Sequence, residues 1–174
     1  MGETVMGVVD QSTATSSISV GLGEMKVLKN TDTTLACLGL GSCVGVAAWD
    51  PVARVAGMAH VVLPSSQGRR PDSGAKYADR AIPKLIQEVG AQGALKSRLV
   101  IKIAGGAQMA LSSANDPIFK IGEQNVTAVL EAIDRESLRV EVKETGGNRG
   151  RTLRLNAASG ETQVSVAGEP PRKL

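Results

Sequence analysis

Two apolar runs stand close together: Val44-Gly45-Val46-Ala47-Ala48-Trp49 and Arg54-Val55-Ala56-Gly57-Met58-Ala59-His60-Val61-Val62-Leu63, separated only by Asp50-Pro51-Val52-Ala53. Their β-branched residues favour strands, and strands this near in sequence pair as an antiparallel hairpin. Asp at the first turn position and Pro at the second suit a type I turn, because proline presets φ. A hairpin centred between Pro51 and Val52 pairs Trp49 with Arg54, Ala47 with Ala56, Gly45 with Met58 and Cys43 with His60. The last two side chains then face each other with Cβ atoms roughly 4.5 to 5.5 Å apart. A slip of one residue would send them to opposite faces. His60 is the only histidine of the chain, so this register decides whether the thiol has a base.

The remaining segments build an α+β pattern around that hairpin. Residues 18–29 read as a strand or a bent pair with Gly21 and Gly23 as bulge positions, and residues 33–38 as a strand leading into the glycine loop before Cys43. Ala78, Ala81, Ile82, Leu85, Ile86 and Val89 recur at helical spacing, with Pro83 predicting a kink or break. Residues 99–104 form an almost wholly apolar run, as in an interior strand. A second amphipathic helix starts near Gly122 and runs to Ile133. Three strands follow at 138–144, 151–156 and 162–166, joined by hairpin-type turns at 146–150 and 157–160. The expected organisation is a flexible leader over 1–17, one domain over 18–167 and a frayed tail over 168–174. Two main helices cover a largely antiparallel sheet system.

Composition narrows the function. The net charge is only +3 and aromatics are 2% of the chain, which leaves a nucleic-acid binder without clustered cations or stacking platforms. Two cysteines cannot form a secreted disulfide framework, and no apolar h-region follows a basic N-terminus, so a cytoplasmic protein is expected. No apolar run approaches the roughly 18 residues of a membrane span, so no membrane insertion is expected. One histidine and two cysteines would need carboxylates to complete a zinc site, and no metal is expected.

Cys43 has two readings. Most free cysteines are small buried hydrophobes, whereas a thiol beside an imidazolium has a lowered pKa and forms thiolate at neutral pH. His60 taken alone equally fits a satisfied core histidine. Gly39 and Gly41 fit a tight turn, or a loop whose N–H groups, with that of Cys43, approach a developing oxyanion. Gly39-Leu40-Gly41-Ser42-Cys43-Val44 lacks the third glycine of a dinucleotide fingerprint, and Gly105-Gly106 has no Lys-Ser/Thr sequel. Arg69, Arg70 and Lys76 suit a solvated loop or a dock for an acidic protein surface.

These residues carry a resemblance to the CheD family of chemoreceptor glutamine deamidases. Besides Gly39 to Val44, the matching segments are Asp50-Pro51, Met58-Ala59-His60-Val61-Val62-Leu63-Pro64, Lys76-Tyr77-Ala78-Asp79, Ala81-Ile82-Pro83, Gly105-Gly106-Ala107, Ile121-Gly122 with Asn125-Val126, and Gly146-Gly147 with Gly150-Arg151. The resemblance implies an α/β sandwich similar to cytotoxic necrotizing factor deamidases. It implies a protein-glutamine glutaminase acting on methyl-accepting chemotaxis receptors, with a CheC-type phosphatase as partner, as a monomer or heterodimer and without a cofactor. Cys43 would be the nucleophile, His60 the acid–base, and Gly41 and Ser42 the oxyanion loop. The family places a threonine six residues before the nucleophile, where it helps orient the histidine. This chain has Cys37 there, which predicts a less firmly held imidazole or a backbone carbonyl in its place. The alternative is a non-catalytic interaction module binding receptors or a CheC-type phosphatase.

Overall fold

A computed structural model describes residues 16–69, 74–109 and 120–174. Among these, the chain forms β1 (Ser16–Ser19), β2 (Met25–Lys29), β3 (Thr33–Leu40), β4 (Val44–Asp50), β5 (Val55–Val61), α1 (Ala78–Ala91), β6 (Val100–Gly105), α2 (Ile121–Arg135), β7 (Val140–Thr145), β8 (Arg151–Asn156), β9 (Thr162–Val166) and β10 (Arg172–Lys173). The strands make two five-stranded sheets in the orders β1-β3-β8-β9-β10 and β2-β5-β4-β6-β7. Pairing is antiparallel except for β1 with β3 and β6 with β7. The parallel β6–β7 pair is joined through α2, as a crossover connection requires.

The two-residue period of β4 and β5 sorts their side chains into two cores. Val44, Val46 and Ala48 of β4, with Val55, Ala59 and Val61 of β5, pack beneath Ile82, Leu85 and Val89 of α1 and Val129 and Ile133 of α2. Ala47, Ala56 and Met58 face the other way, against Leu35, Cys37 and Leu40 of β3 and Leu153 and Leu155 of β8. The architecture is therefore layered as sheet, sheet and helices, an α+β fold. Pro83 leaves α1 unbroken. It lies on the exposed side of the helix, where water can satisfy the carbonyl that its ring leaves unpaired.

The hairpin register differs from the expected one by two residues. Gly45 lies opposite His60, Ala47 opposite Met58 and Asp50 opposite Val55. The loop is therefore 51–54, with Arg54 at φ 52°. The cause is Asp50, which ends the strand fully buried instead of opening an exposed turn. Its carboxylate accepts hydrogen bonds from Val52 N, Ala53 N and Leu95 N at 2.8 to 3.0 Å, and from the Arg98 guanidinium at 2.8 to 3.1 Å. A slip of two preserves the face of every residue, so Cys43 and His60 still share the inter-sheet side.

Three further expectations change. Residues 146–150 do not close a hairpin, because β7 and β8 belong to different sheets and the segment crosses between them. The expected tail contributes β10, paired with β9, and Leu174 O accepts from Lys102 Nζ at 2.8 Å. Most of the expected leader lies outside the described residues; Ser16 and Ser17 begin β1.

Burial works to raise the Asp50 carboxyl, but Arg98 and the three backbone N–H groups outweigh it and hold the group below the usual carboxylate range. Asp50→Ala, which strips these donors of their acceptor, is expected to cost about 3 kcal/mol in urea unfolding at neutral pH. A depressed folded value stabilises fully above the unfolded pKa, about 3.9, and the contribution fades as pH falls further. Asp50→Asn should flatten that acid limb.

Candidate active site

His60 is buried near the end of β5 and gripped by the segment between β1 and β2. Its backbone N donates to Glu24 O at 3.0 Å and its carbonyl accepts from Gly23 N at 2.9 Å. Its ring Nδ1 lies 3.0 Å from Val20 O. A carbonyl only accepts, so Nδ1 carries the proton, and in the neutral ring Nε2 presents its lone pair. Nε2 is buried and has no hydrogen-bond partner among the described residues. Val20 is itself fixed, its N donating to Ala36 O of β3 at 2.8 Å.

Cys43 sits just before β4, half-buried, on the same inter-sheet side. With Gly45 opposite His60, Cys43 is the diagonal neighbour, a relation with Cβ atoms about 7 Å apart. The loop that carries it is held by its carbonyls. Gly41 O accepts from Ala107 N and Cys43 O from Gly106 N, both at 2.8 Å, and Ser42 O accepts from Asn125 Nδ2 at 2.9 Å. The backbone of Gly105 passes close beneath, at φ 118°; a Cβ there would stand 2.1 Å from Cys43 O. Only glycine suits this approach. Gly39 acts elsewhere, since at φ 62° it sits in the irregularity of the β3–β8 pairing and its N donates to Thr152 Oγ1.

Burial pushes the Cys43 thiol up, against the pull of its own backbone N–H. Burial thus works against the thiolate expected beside an imidazolium. Cys37 is deeper; burial first, and then neighbouring Cys43, push it up to about 12. Its Cβ lies 3.3 Å from the place a Gly45 Cβ would occupy. Its Sγ donates at 3.9 Å to Ala59 O, the carbonyl just before His60, and the imidazole is held by Val20 O.

The family model described as CheD chemotactic sensory transduction matches residues 62–166. A protein of Symbiobacterium thermophilum named probable chemoreceptor glutamine deamidase CheD is 44% identical over 159 residues, covering 90% of this chain and 96% of that one. Proteins of Lachnoclostridium phytofermentans and Desulforamulus reducens with the same name are 40% and 41% identical, covering 90% and 89% of this chain and 98% and 93% of theirs. The chain belongs to the CheD family.

Several segments singled out in the sequence have physical roles in the fold. Asp79, in the first turn of α1, accepts from Ser66 N at 3.1 Å and Ser66 Oγ at 2.8 Å, pinning the loop that follows β5. Arg69 and Lys76 are exposed and lie over the Tyr77 ring, 5.8 and 5.6 Å from its centroid; Arg70 lies outside the described residues. Arg151 donates to Glu144 O and Gly146 O, and Gly146 N donates to Gly105 O. That chain of contacts braces the strand end beneath Cys43. The backbone carbonyl expected as one alternative to a threonine is that of Val20, a position the sequence does not mark because a backbone oxygen leaves no residue signature; Asn125 stands among the matching residues, but one asparagine in a helix does not announce the contacts it makes.

Elsewhere, a groove of about 610 Å³ is lined by Asp32, Arg54, Arg154, Asn156 and Glu161 and by none of the candidate site residues. Among the described residues, no group of three His, Cys, Asp or Glu side chains is placed to hold a metal ion, and no helix is long and apolar enough to cross a membrane.

A raised thiol value predicts that iodoacetamide alkylation of Cys43 climbs with pH, with a midpoint above the ordinary free-cysteine value of about 8.5. Intact-mass kinetics across a pH series measure it; a midpoint below that value would contradict the burial argument.

Proposed function

We propose that the chain is a cysteine-dependent protein-glutamine glutaminase that hydrolyses selected glutamine side chains of methyl-accepting chemotaxis receptors to glutamate. The reading is supported above all by one observation: Cys43 and His60 share the inter-sheet face, with the imidazole anchored at Nδ1 and its Nε2 lone pair unused. Because burial disfavours the Cys43 thiolate, proton transfer to Nε2 accompanies attack of sulfur on the carboxamide carbon. N–H groups of the loop at Gly41, Ser42 and Cys43 receive the negative oxygen of the tetrahedral intermediate. His60 then passes the proton to the departing nitrogen, releasing ammonia and leaving a thioester. Water, deprotonated by His60, attacks that thioester; its proton returns to sulfur, and the product is glutamate. Each step uses the chain's own groups and needs no cofactor.

The same reading places the protein in the cytoplasm as a monomer or as a heterodimer with a CheC-type phosphatase, in a sandwich similar to that of cytotoxic necrotizing factor deamidases. A second reading, a non-catalytic module that binds receptors or such a phosphatase, is favoured by the upward push of burial on the half-buried Cys43 thiol and by Cys37 at the position where the resemblance implies a threonine.

Incubation with receptor cytoplasmic fragments separates the two. The wild-type chain is expected to produce the mass gain of amide-to-carboxylate conversion at specific glutamines, and Cys43→Ala none. Equal conversion by Cys43→Ala rejects the thiol mechanism, and no conversion by either protein with receptor binding intact supports the module. Cys37→Thr tests the orienting position. A hydroxyl bonds the Ala59 carbonyl more closely than a thiol at 3.9 Å. Turnover is expected to rise roughly two- to five-fold, the kinetic equivalent of about 0.5 to 1 kcal/mol from one hydrogen bond. Unchanged turnover would remove Cys37 from any orienting part.

A further inference from the structure

The β4–β5 ladder ends at the pair Val44 and Val61. Cys43 lies immediately beyond it on one strand and Val62 on the other, so no ladder bond fixes the separation of the nucleophile's loop from the end of the His60 strand. A single side chain from the helical layer spans this gap. Asn125 of α2 is fully buried, and its Nδ2 donates to Ser42 O and to Val62 O, each at 2.9 Å. One acceptor precedes Cys43 by one residue, and the other follows His60 by two. Among the described residues no other side chain hydrogen-bonds both segments.

The amide orientation is unambiguous, because both facing atoms are carbonyl oxygens and a flipped amide would set three acceptors against one another. The other end of the amide, Oδ1, is buried without a partner among the described residues. A buried polar atom left unpaired is unusual, and here it accompanies an amide committed to two donor bonds. The height of α2 is also fixed. A Cβ on Gly122 would stand 2.4 Å from Ala107 O, so the helix start rests directly on the strand end whose Gly106 and Ala107 N–H groups hold Cys43 O and Gly41 O. Helix and strand end thus grip one loop together.

From this geometry we infer that Asn125 is a positioning residue for the Cys43–His60 pair, a clamp that continues the hairpin ladder where backbone pairing stops. The inference rests on the deamidase reading above. Asn125 touches neither substrate nor reacting atoms; it sets the distance over which the thiol proton travels to Nε2. A misplacement of about 1 Å can cost up to a hundredfold in rate.

The test compares Asn125→Leu, which keeps the branching at Cγ and removes both N–H groups, with Asn125→Ala, each confirmed folded by near-ultraviolet circular dichroism. The primary readout is the rate of Cys43 alkylation by iodoacetamide at pH 7, with His60→Ala as reference. Deamidation kinetics on receptor fragments are the second. Both Asn125 variants are expected to alkylate about tenfold more slowly, approaching the His60→Ala rate, and to lower kcat about tenfold with KM within about twofold. A residue serving packing alone would lower the melting temperature and leave the alkylation pH profile of the folded protein unchanged. That result, or full recovery in Asn125→Leu, overturns the inference. If neither apolar variant folds, Asn125→Ser, which keeps one donor, is read in the same way and should fall between wild type and His60→Ala. A wild-type alkylation rate in His60→Ala would instead reject the thiol–imidazole pair itself, and the clamp with it. Loss of alkylation in the Asn125 variants with no deamidation by wild type would keep the clamp and reject the receptor substrate.

Discussion

Backbone pairing between β4 and β5 is the constraint on which everything else rests. Opposing Gly45 to His60 assigns each residue of the hairpin to one of two faces. Val44, Val46, Val55 and Val61 go to the helices, and Ala47, Ala56 and Met58 to the second sheet. That division gives α1 and α2 a surface to cover, and it lets β3 and β8 close over the other side. The site arises at the open end of this inter-sheet core, where the ladder has stopped and the chain is held by separate contacts. Those contacts come from the segment between β1 and β2 around His60, from the end of β6 around Cys43, and from α2 between them. Residues separated by more than eighty positions therefore meet at one strand pair.

Placing a thiol in such a core has an electrostatic consequence. Desolvation opposes charge, and the two thiols at this end are both pushed up. An ion pair waiting in the resting site would have to overcome that penalty. In the proposed mechanism the proton leaves sulfur for Nε2 only as sulfur attacks the substrate, so no resting ion pair is required. The unpaired Nε2 fits this scheme. An unsatisfied buried acceptor costs roughly 1 to 3 kcal/mol, and here the atom left open is the one that the proposed mechanism uses as its proton acceptor.

Much of this was legible because it is local. The strand character of β4 and β5, the helical period before and after β6, and Cys43 with the single histidine all lie in short stretches of sequence. What failed was non-local. Asp50 reads as the opening residue of a turn, but Arg98, forty-eight positions away, draws it into the interior and shifts the register. The glycines at 146, 147 and 150 announce a change of direction and say nothing of which sheet receives the next strand. Arg172 and Lys173 read as tail because their partner, β9, supplies the pairing. The site itself was half legible: its reactive atoms carry residue identities, whereas their supports are backbone oxygens and one amide on a distant helix.

Cys37 can now be weighed against those supports. A side chain at that position could orient the imidazole directly only if the ring lacked another anchor. Val20 O already supplies one, and Val20 is tied by its own N–H to Ala36, the residue before Cys37. The anchor is therefore a property of the β3 backbone, indifferent to whether a thiol or a hydroxyl follows. What the side chain at 37 can still adjust is the carbonyl of Ala59, and through it the tilt of the peptide that carries His60. A weak sulfur donor there leaves the ring correctly faced and loosens only that last adjustment. A cysteine at the threonine position is thus compatible with chemistry, its effect limited to the part of the geometry that the backbone does not already determine.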